Sequence, residues 1–244
     1  MTSIAAATAP EDEILFTFGR MNPPTTGHKK LVQEIMEEAV NQNVKDVYII
    51  LSPSQNFKKN PLSYSEKKTI LETMITQIKN DNQHLENIQV NIPELESKDQ
   101  NCKSRRWPIK QICDIKVNSN ISNFKAFLGT DRIEDFDWLI DTLHKDMINL
   151  TIKEVARNEL EDISASMVRA FARSGNDDAL SEFSKLYETS GLSETMVTRL
   201  FHRLNEKEAK GTKKRRRRKS KKKHKSKKIR KTKYKRKGTK RRRR

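Results

Sequence analysis

The feature that most confines the fold is a series of short apolar runs, each followed by a stretch of helical period. ILFTFG (14–19) and DVYIIL (46–51) are nearly continuous apolar runs bounded by Gly or Pro, the pattern of strands buried on both faces. IQVNI (88–92), FKAFLG (124–129) and MINLTIKEV (147–155) carry the same character. Between them HKKLVQEIMEEAVNQ (28–42), YSEKKTILETMITQIKN (64–80) and RIEDFDWLIDTLHKD (132–146) place apolar residues near i, i+3, i+4 and i+7. Ser63 and Glu66 form a capping-box pair at the start of the second. Strands alternating with crossovers of this length predict a mostly parallel, doubly wound sheet with helices on both faces.

The remaining segments complete an α/β, Rossmann-like organisation. SKDQNCKSRRWP, within the polar stretch 93–123, reads as a loop insertion ahead of a further short helix. Residues 164–207 read as helical, broken at Gly175 and Gly191. The expected division is a leader (1–12), a main domain (13–175), a C-terminal helical extension (176–210) and a Lys/Arg-rich tail (211–244).

Charge separates the tail from everything before it. Residues 211–244 hold 24 of the 51 Lys and Arg and no acid. The other 210 residues carry 27 basic against 32 acidic side chains, a net of −5 beneath the overall +19. The tail cannot bury enough apolar surface to fold, and its expected state is disorder. Such a run binds phosphate by counterion release, without base readout, and suits nuclear localisation equally well. Its one aromatic, Tyr234, gives little support for stacking on single strands. The two cysteines, Cys102 and Cys113, have no metal-ligand spacing and read as reduced thiols. MTSIAAATAP lacks a basic n-region, and no apolar run approaches the ~20 residues of a membrane span. The expectation is a soluble intracellular protein without membrane contact.

Two segments carry chemistry. In an open parallel sheet ligands sit beyond the carboxyl ends of the strands, where GRMNPPTTGH (19–28) lies. Gly19 permits close backbone approach. A helix start near Thr26 and Gly27 offers unpaired N–H groups and a positive dipole end, and His28 adds a donor. An ordinary strand-to-helix turn with a capping His has the same composition. The stretch is neither GxxxxGK[ST] nor GxGxxG, which disfavours those phosphate loops. In EDISASMVRAF, Ser164 reads as a helix cap, with Ser166 and Arg169 three residues apart on one face. Hydroxyls, free amides and a guanidinium at one helix start suit an anion; a capped helix with a surface Arg is the plainer reading.

GRMNPPTTGH resembles the G-[RST]-F-[ND]-P-x-[TH]-x-G-H signature of the nucleotidyltransferase superfamily that includes cytidylyltransferases and nicotinamide-mononucleotide adenylyltransferases. Met21 stands where Phe is usual. Ile163-Ser164-Ala165-Ser166-Met167-Val168-Arg169 resembles the same family's I-S-x-T-x-x-R, with Ser166 for Thr. The two lie in the family's order, about 140 residues apart. SPSQNFKKNPLSYSEKK (52–68) and FLGTDRIEDF (127–136) look like segments of viral and phage members. Class I aminoacyl-tRNA synthetases share the first motif, but no KMSKS-like segment follows.

The resemblance implies a Rossmann-like fold over roughly residues 13–175 and a reaction without covalent intermediate. A phosphate of an acceptor attacks the α-phosphorus of an NTP, and pyrophosphate leaves with Mg²⁺ held mainly by its oxygens. The implied catalytic residues are His28 and Arg169. Gly19, Arg20, Thr25, Gly27, His28, Lys59, Gly129, Asp131, Ile163, Ser164, Ser166 and Arg169 are implied to bind nucleotide, with Lys58 beside Lys59 and no protein-held metal. Nothing like the cytidylyltransferases' R-T-x-G precedes Ile163, so ATP and nicotinamide mononucleotide are favoured over CTP and an alcohol phosphate. Another acceptor, such as a nucleic-acid end, stays open. The rival is a nucleic-acid-binding protein with a degenerate nucleotide-binding domain. If viral, the protein would work at genome replication or in the virion.

Overall fold

The computed structural model describes residues 12–94, 107–130, 133, 137–156, 163–174 and 178–206. Five strands, β1 (Glu13–Gly19), β2 (Asp46–Leu51), β3 (Gln89–Asn91), β4 (Asn123–Gly129) and β5 (Asn149–Val155), form one sheet in the order β3-β2-β1-β4-β5. Every neighbouring pair is parallel. The chain builds outward from β1 to β3, then returns to the other side of β1 for β4 and β5. That reversal makes the carboxyl end of β1 a topological switch point. The expected doubly wound α/β, Rossmann-like fold is the fold observed.

Period-two alternation sorts the strand residues between two apolar clusters. Leu15, Val47, Ile49, Leu51, Phe127 and Val155 pack on α1 (Thr26–Asn41), α2 (Tyr64–Asp81), α5 (Ala165–Ala172), α6 (Ala179–Lys185) and α7 (Glu194–Asn205). Ile14, Phe16, Phe18, Ile50, Phe124, Ala126 and Leu128 pack on α3 (Ile109–Ser119) and α4 (Asp137–His144). Central strand β1 is buried from Ile14 to Phe18 because both of its faces are covered, and its one polar residue there, Thr17, donates to Phe127 O at 2.8 Å. Side chains such as Leu15, Phe16 and Ile50, fully buried, each contribute about 1.5–3 kcal/mol relative to exposure. Phe183, Tyr187, Leu200, Phe201 and Leu204 belong to the first cluster, so the C-terminal helices share the core of the sheet.

α1 begins at Thr26, where the β1–α1 turn places the helix start, with Thr25 as an extended N-cap. Two local departures are observed. β5 begins at Asn149, not 147: Met147 turns with φ 56°, and Lys116 Nζ holds the carbonyls of Asp146 (2.8 Å) and Met147 (3.0 Å). Cys113 is disulfide-bonded, which corrects the expectation of reduced thiols.

The break expected at Gly191 has a steric reason. Gly191 closes a 3-10 turn (Glu188–Ser190) at φ 83°, and a Cβ there would lie 2.4 Å from Gln77 Cβ on α2. Gly191→Ala is therefore expected to lower unfolding free energy by about 2 kcal/mol through strain and overpacking. Urea denaturation measures it, and an unchanged midpoint would show that the turn shifts at little cost.

Candidate functional site

The connection from β1 to α1 is anchored along its length. Gly19 ends the strand with its carbonyl accepting from Ser52 N at 2.9 Å, which ties the ends of β1 and β2 together. Asn22 is buried, and its amide clasps the Leu62 backbone: Nδ2 donates to Leu62 O and Oδ1 accepts from Leu62 N, both at 3.0 Å. The buried Tyr187 hydroxyl donates to Pro24 O at 2.8 Å. Met21 is buried at φ 41°, a conformation unfavourable for a residue with a Cβ, held by these surrounding bonds.

His28 closes the first turn of α1. Thr25 N donates to His28 Nδ1 at 3.1 Å, and Thr25 Oγ1 lies 2.8 Å from the same nitrogen. A backbone amide can only donate, so Nδ1 is an acceptor and the neutral ring carries its proton on Nε2. The first turn of α1 holds no acidic residue, so its amides meet no carboxylate of their own helix. At Gly19 and Gly27 an added Cβ would meet protein atoms no closer than 3.5 and 3.8 Å. Protein packing therefore does not demand glycine at either position.

The second segment caps α5 and reaches the first. Ser164 is the N-cap, accepting from Met167 N at 3.2 Å, and its Oγ lies 3.1 Å from Ser166 Oγ. Ile163 packs against the first core cluster. Arg169 crosses to the β1–α1 connection and donates through Nη1 to Asn22 O. Burial pushes its guanidinium below the usual arginine value, and the positive charges of Arg173 and then Arg20 push it further. Two cations thus stand near a third that is already half-buried. Among the described residues none of the three forms a carboxylate ion pair.

The β2–α2 connection forms a third side. Asn56 and Asn60 exchange backbone bonds (2.8 and 2.9 Å) around a turn with Lys58 and Lys59 exposed at its tip. Arg173 holds that turn, donating to Lys58 O (3.0 Å) and Phe57 O (2.9 Å) while its Nε reaches Leu204 O at 3.0 Å. Below the turn, Lys67 is buried and its amine donates to Ser52 O at the end of β2. Gly129 ends β4 opposite Val155 of β5. Asp131 lies outside the described residues. The structure thus joins Arg169 to Asn22 by a hydrogen bond and sets the charges of Arg173 and Arg20 near the same guanidinium, with Thr25, His28, Ser164 and Ser166 on the two elements that Arg169 links. Lys59 stands on a separate turn tied to them through Arg173.

Burial holds the Lys67 amine down at about 8. A folded-state value below the unfolded 10.5 means that the unfolded chain binds more protons between those limits, so stability rises with pH across that window. The stability difference between the native protein and Lys67→Met is expected to grow by on the order of 2 kcal/mol from pH 8 to 10.5. Urea melts at both pH values measure it. A flat difference would mean that the charged amine is well solvated.

Asn22, Lys67 and Arg173 are the participants that sequence reading missed. Asn22 had a signal, since it stands at the [ND] position of the first signature. Among the described residues no group of three His, Cys, Asp or Glu is placed to hold a metal ion. The donors gathered here are amides, hydroxyls and cations, chemistry that suits phosphate oxygens. No helix of the described residues is long and apolar enough to cross a membrane.

No protein-family model matches the chain, and no curated protein matches it. Among solved structures, 21 chains match. One is the crystal structure of a "putative nicotinate-nucleotide adenylyltransferase" from Vibrio parahaemolyticus, with a TM-score of 0.48 and 16% identity over 80% of this chain and 96% of that one.

Proposed function

We propose that the chain is a nucleotidyltransferase that transfers a nucleoside monophosphate, with ATP the favoured donor, to a phosphate-bearing acceptor, with nicotinamide mononucleotide the first candidate. The observation that carries this reading is the bond from Arg169 to Asn22 O, which brings the second signature segment onto the loop of the first. Arg20 and Arg173 add positive charge beside it. Among the described residues no carboxylate pairs with this cluster, which leaves the guanidinium charge available to an anion.

In this reading the acceptor's phosphate oxygen attacks the α-phosphorus, the bond to the β-phosphate oxygen breaks, and pyrophosphate leaves. The attacking oxygen is already anionic, so no general base is needed. Mg²⁺, when bound, neutralises charge on the leaving phosphates and would be carried by them. The chain's own residues position and stabilise. His28 donates from Nε2 toward the α/β-phosphate bridge, together with the α1 amides at Thr26 and Gly27. Ser164, Ser166 and Arg169 hold the β/γ end, and Lys59 approaches from its turn. The glycines at 19 and 27 leave room that the protein does not fill. Gly129 and Asp131 would line the nucleotide or acceptor.

The tail (211–244) would hold nucleic acid or another polyanion by charge alone, or serve as a nuclear address. The domain limits 13–175 and 176–210 describe where the family resemblance stops. A panel of the four NTPs against candidate phosphates, read by pyrophosphate release, tests the activity. Turnover by residues 1–210 is the expected result. No release with any pair, from a protein that still binds nucleic acid, would favour the non-enzymatic rival.

A further inference from the structure

Arg173 stands four residues after Arg169, one turn further along the same side of α5. Its guanidinium makes three bonds, all to carbonyl oxygens from distant parts of the chain. Nε donates to Leu204 O at 3.0 Å, in the last turn of α7. Nη1 donates to Lys58 O at 3.0 Å and Nη2 to Phe57 O at 2.9 Å. The guanidinium carbon also lies 5.7 Å from the centre of the Phe57 ring. Because the group is planar, the bond at Nε fixes its plane and aims both Nη atoms at the turn. The turn itself is closed by its own bonds: Asn56 and Asn60 exchange theirs, and Lys59 N donates to Asn56 Oδ1 at 2.7 Å. Those bonds give the turn its shape. Arg173 sets where its tip, with Lys58 and Lys59, stands relative to Arg169.

Three neutral carbonyls direct the Arg173 guanidinium without cancelling its charge. That charge bears on Arg169, whose own guanidinium it disfavours together with Arg20. An anion at Arg169 offsets this repulsion. Arg173 need not leave the turn to benefit, since only three of its five N–H groups are engaged. The anion and the turn then share one guanidinium, and such linkage runs both ways: loosening the turn weakens the anion, and the anion steadies the turn.

We propose that Arg173 is a positioning residue that couples occupancy of the anion site at Arg169 to the placement of the turn carrying Lys58 and Lys59. What Lys59 then meets, the phosphates of a nucleotide, rests on the transferase reading. The coupling rests on the three bonds and the neighbouring charge.

Hydrogen–deuterium exchange of the full chain, read on peptides covering 52–62, tests it with inorganic tripolyphosphate as the probe. At millimolar probe the wild type is expected to exchange the Asn56 and Asn60 amides about fivefold more slowly than without it. In Arg173→Gln, which keeps a donor but no charge, those amides should exchange about tenfold faster in the free protein, and the probe should change the rate by less than about twofold. Arg173→Lys keeps the charge without the fork and should behave like the glutamine variant, which separates placement from plain attraction. The basic tail also takes up polyphosphate, so Arg169→Met serves as the control: the tail still binds, and protection of the turn should be lost. Unchanged exchange over α2 shows that a variant is folded, and the wild-type result stands whether or not a variant folds.

A wild-type turn that the probe leaves unprotected or speeds up would overturn the coupling. So would protection equal to wild type in either Arg173 variant, or protection that survives in Arg169→Met. The NTP panel is run on the same samples. Pyrophosphate release without the coupling would sink this inference alone. Coupling without release would sink the transferase reading and leave Arg173 as the link between anion and turn.

Discussion

His28→Gln is expected to lower kcat by about 10²–10³-fold while leaving the unfolding free energy within about 0.5 kcal/mol of wild type. The two effects separate because His28 has two jobs. Its Nδ1 takes the Thr25 amide at 3.1 Å, the reciprocal half of a helix cap. Glutamine at the third helical position can take that bond, as in the usual Thr-x-x-Gln box. Its amide cannot reproduce a proton held on Nε2, fixed in direction by the bond at the opposite ring nitrogen. His28→Ala removes both functions and should lose about 1 kcal/mol of stability in addition. Single-turnover kinetics with urea melts of the same samples decide the matter. A glutamine variant that turns over at the wild-type rate would reduce His28 to a cap.

Removing residues 211–244 is expected to abolish binding to mixed-sequence duplex DNA at physiological salt and to leave kcat on small substrates within about twofold. The rationale is the subtraction of charge: 24 basic residues leave with the tail, and the remainder is net acidic. For the whole chain, affinity should fall with a log–log salt slope of about −9 if ~10 phosphates are neutralised. Sequence should matter little, because flexible lysines and arginines meet the backbone and not base edges. Retention of that slope by residues 1–210 would move the binding surface into the domain.

The sheet was legible because buried strands leave a signal in adjacent residues. ILFTFG and DVYIIL announce β1 and β2 without reference to anything distant. The helix caps at Ser63 and Ser164 are local in the same sense. What escaped was made by contacts across the chain. Lys67 sits in EKKTILET as an apparent solvated lysine, and only the approach of the β2 end at Ser52 makes it buried. Arg173 looks like a surface residue at the end of a helix until Phe57, Lys58 and Leu204 converge on it. Trp107 Nε1, Gln111 Oε1 and Asp114 Oδ1 were hidden for a different reason: each is a buried polar atom without a hydrogen-bond partner, and no periodicity reports that. Cys113 likewise bears no local mark of being disulfide-bonded.

The clasp of Asn22 on Leu62, with the Tyr187 hydroxyl on Pro24, has a thermodynamic consequence for whatever binds above it. Ordering a free backbone removes about 1–2 kcal/mol of configurational entropy per residue. Over the six residues from Arg20 to Thr25 that loss has already been incurred in folding, supported by the bonds to Leu62 and Tyr187. A ligand of this connection would dock to a surface ordered in advance, with an on-rate governed by diffusion and charge. Affinity differences among ligands should accordingly appear in their residence times.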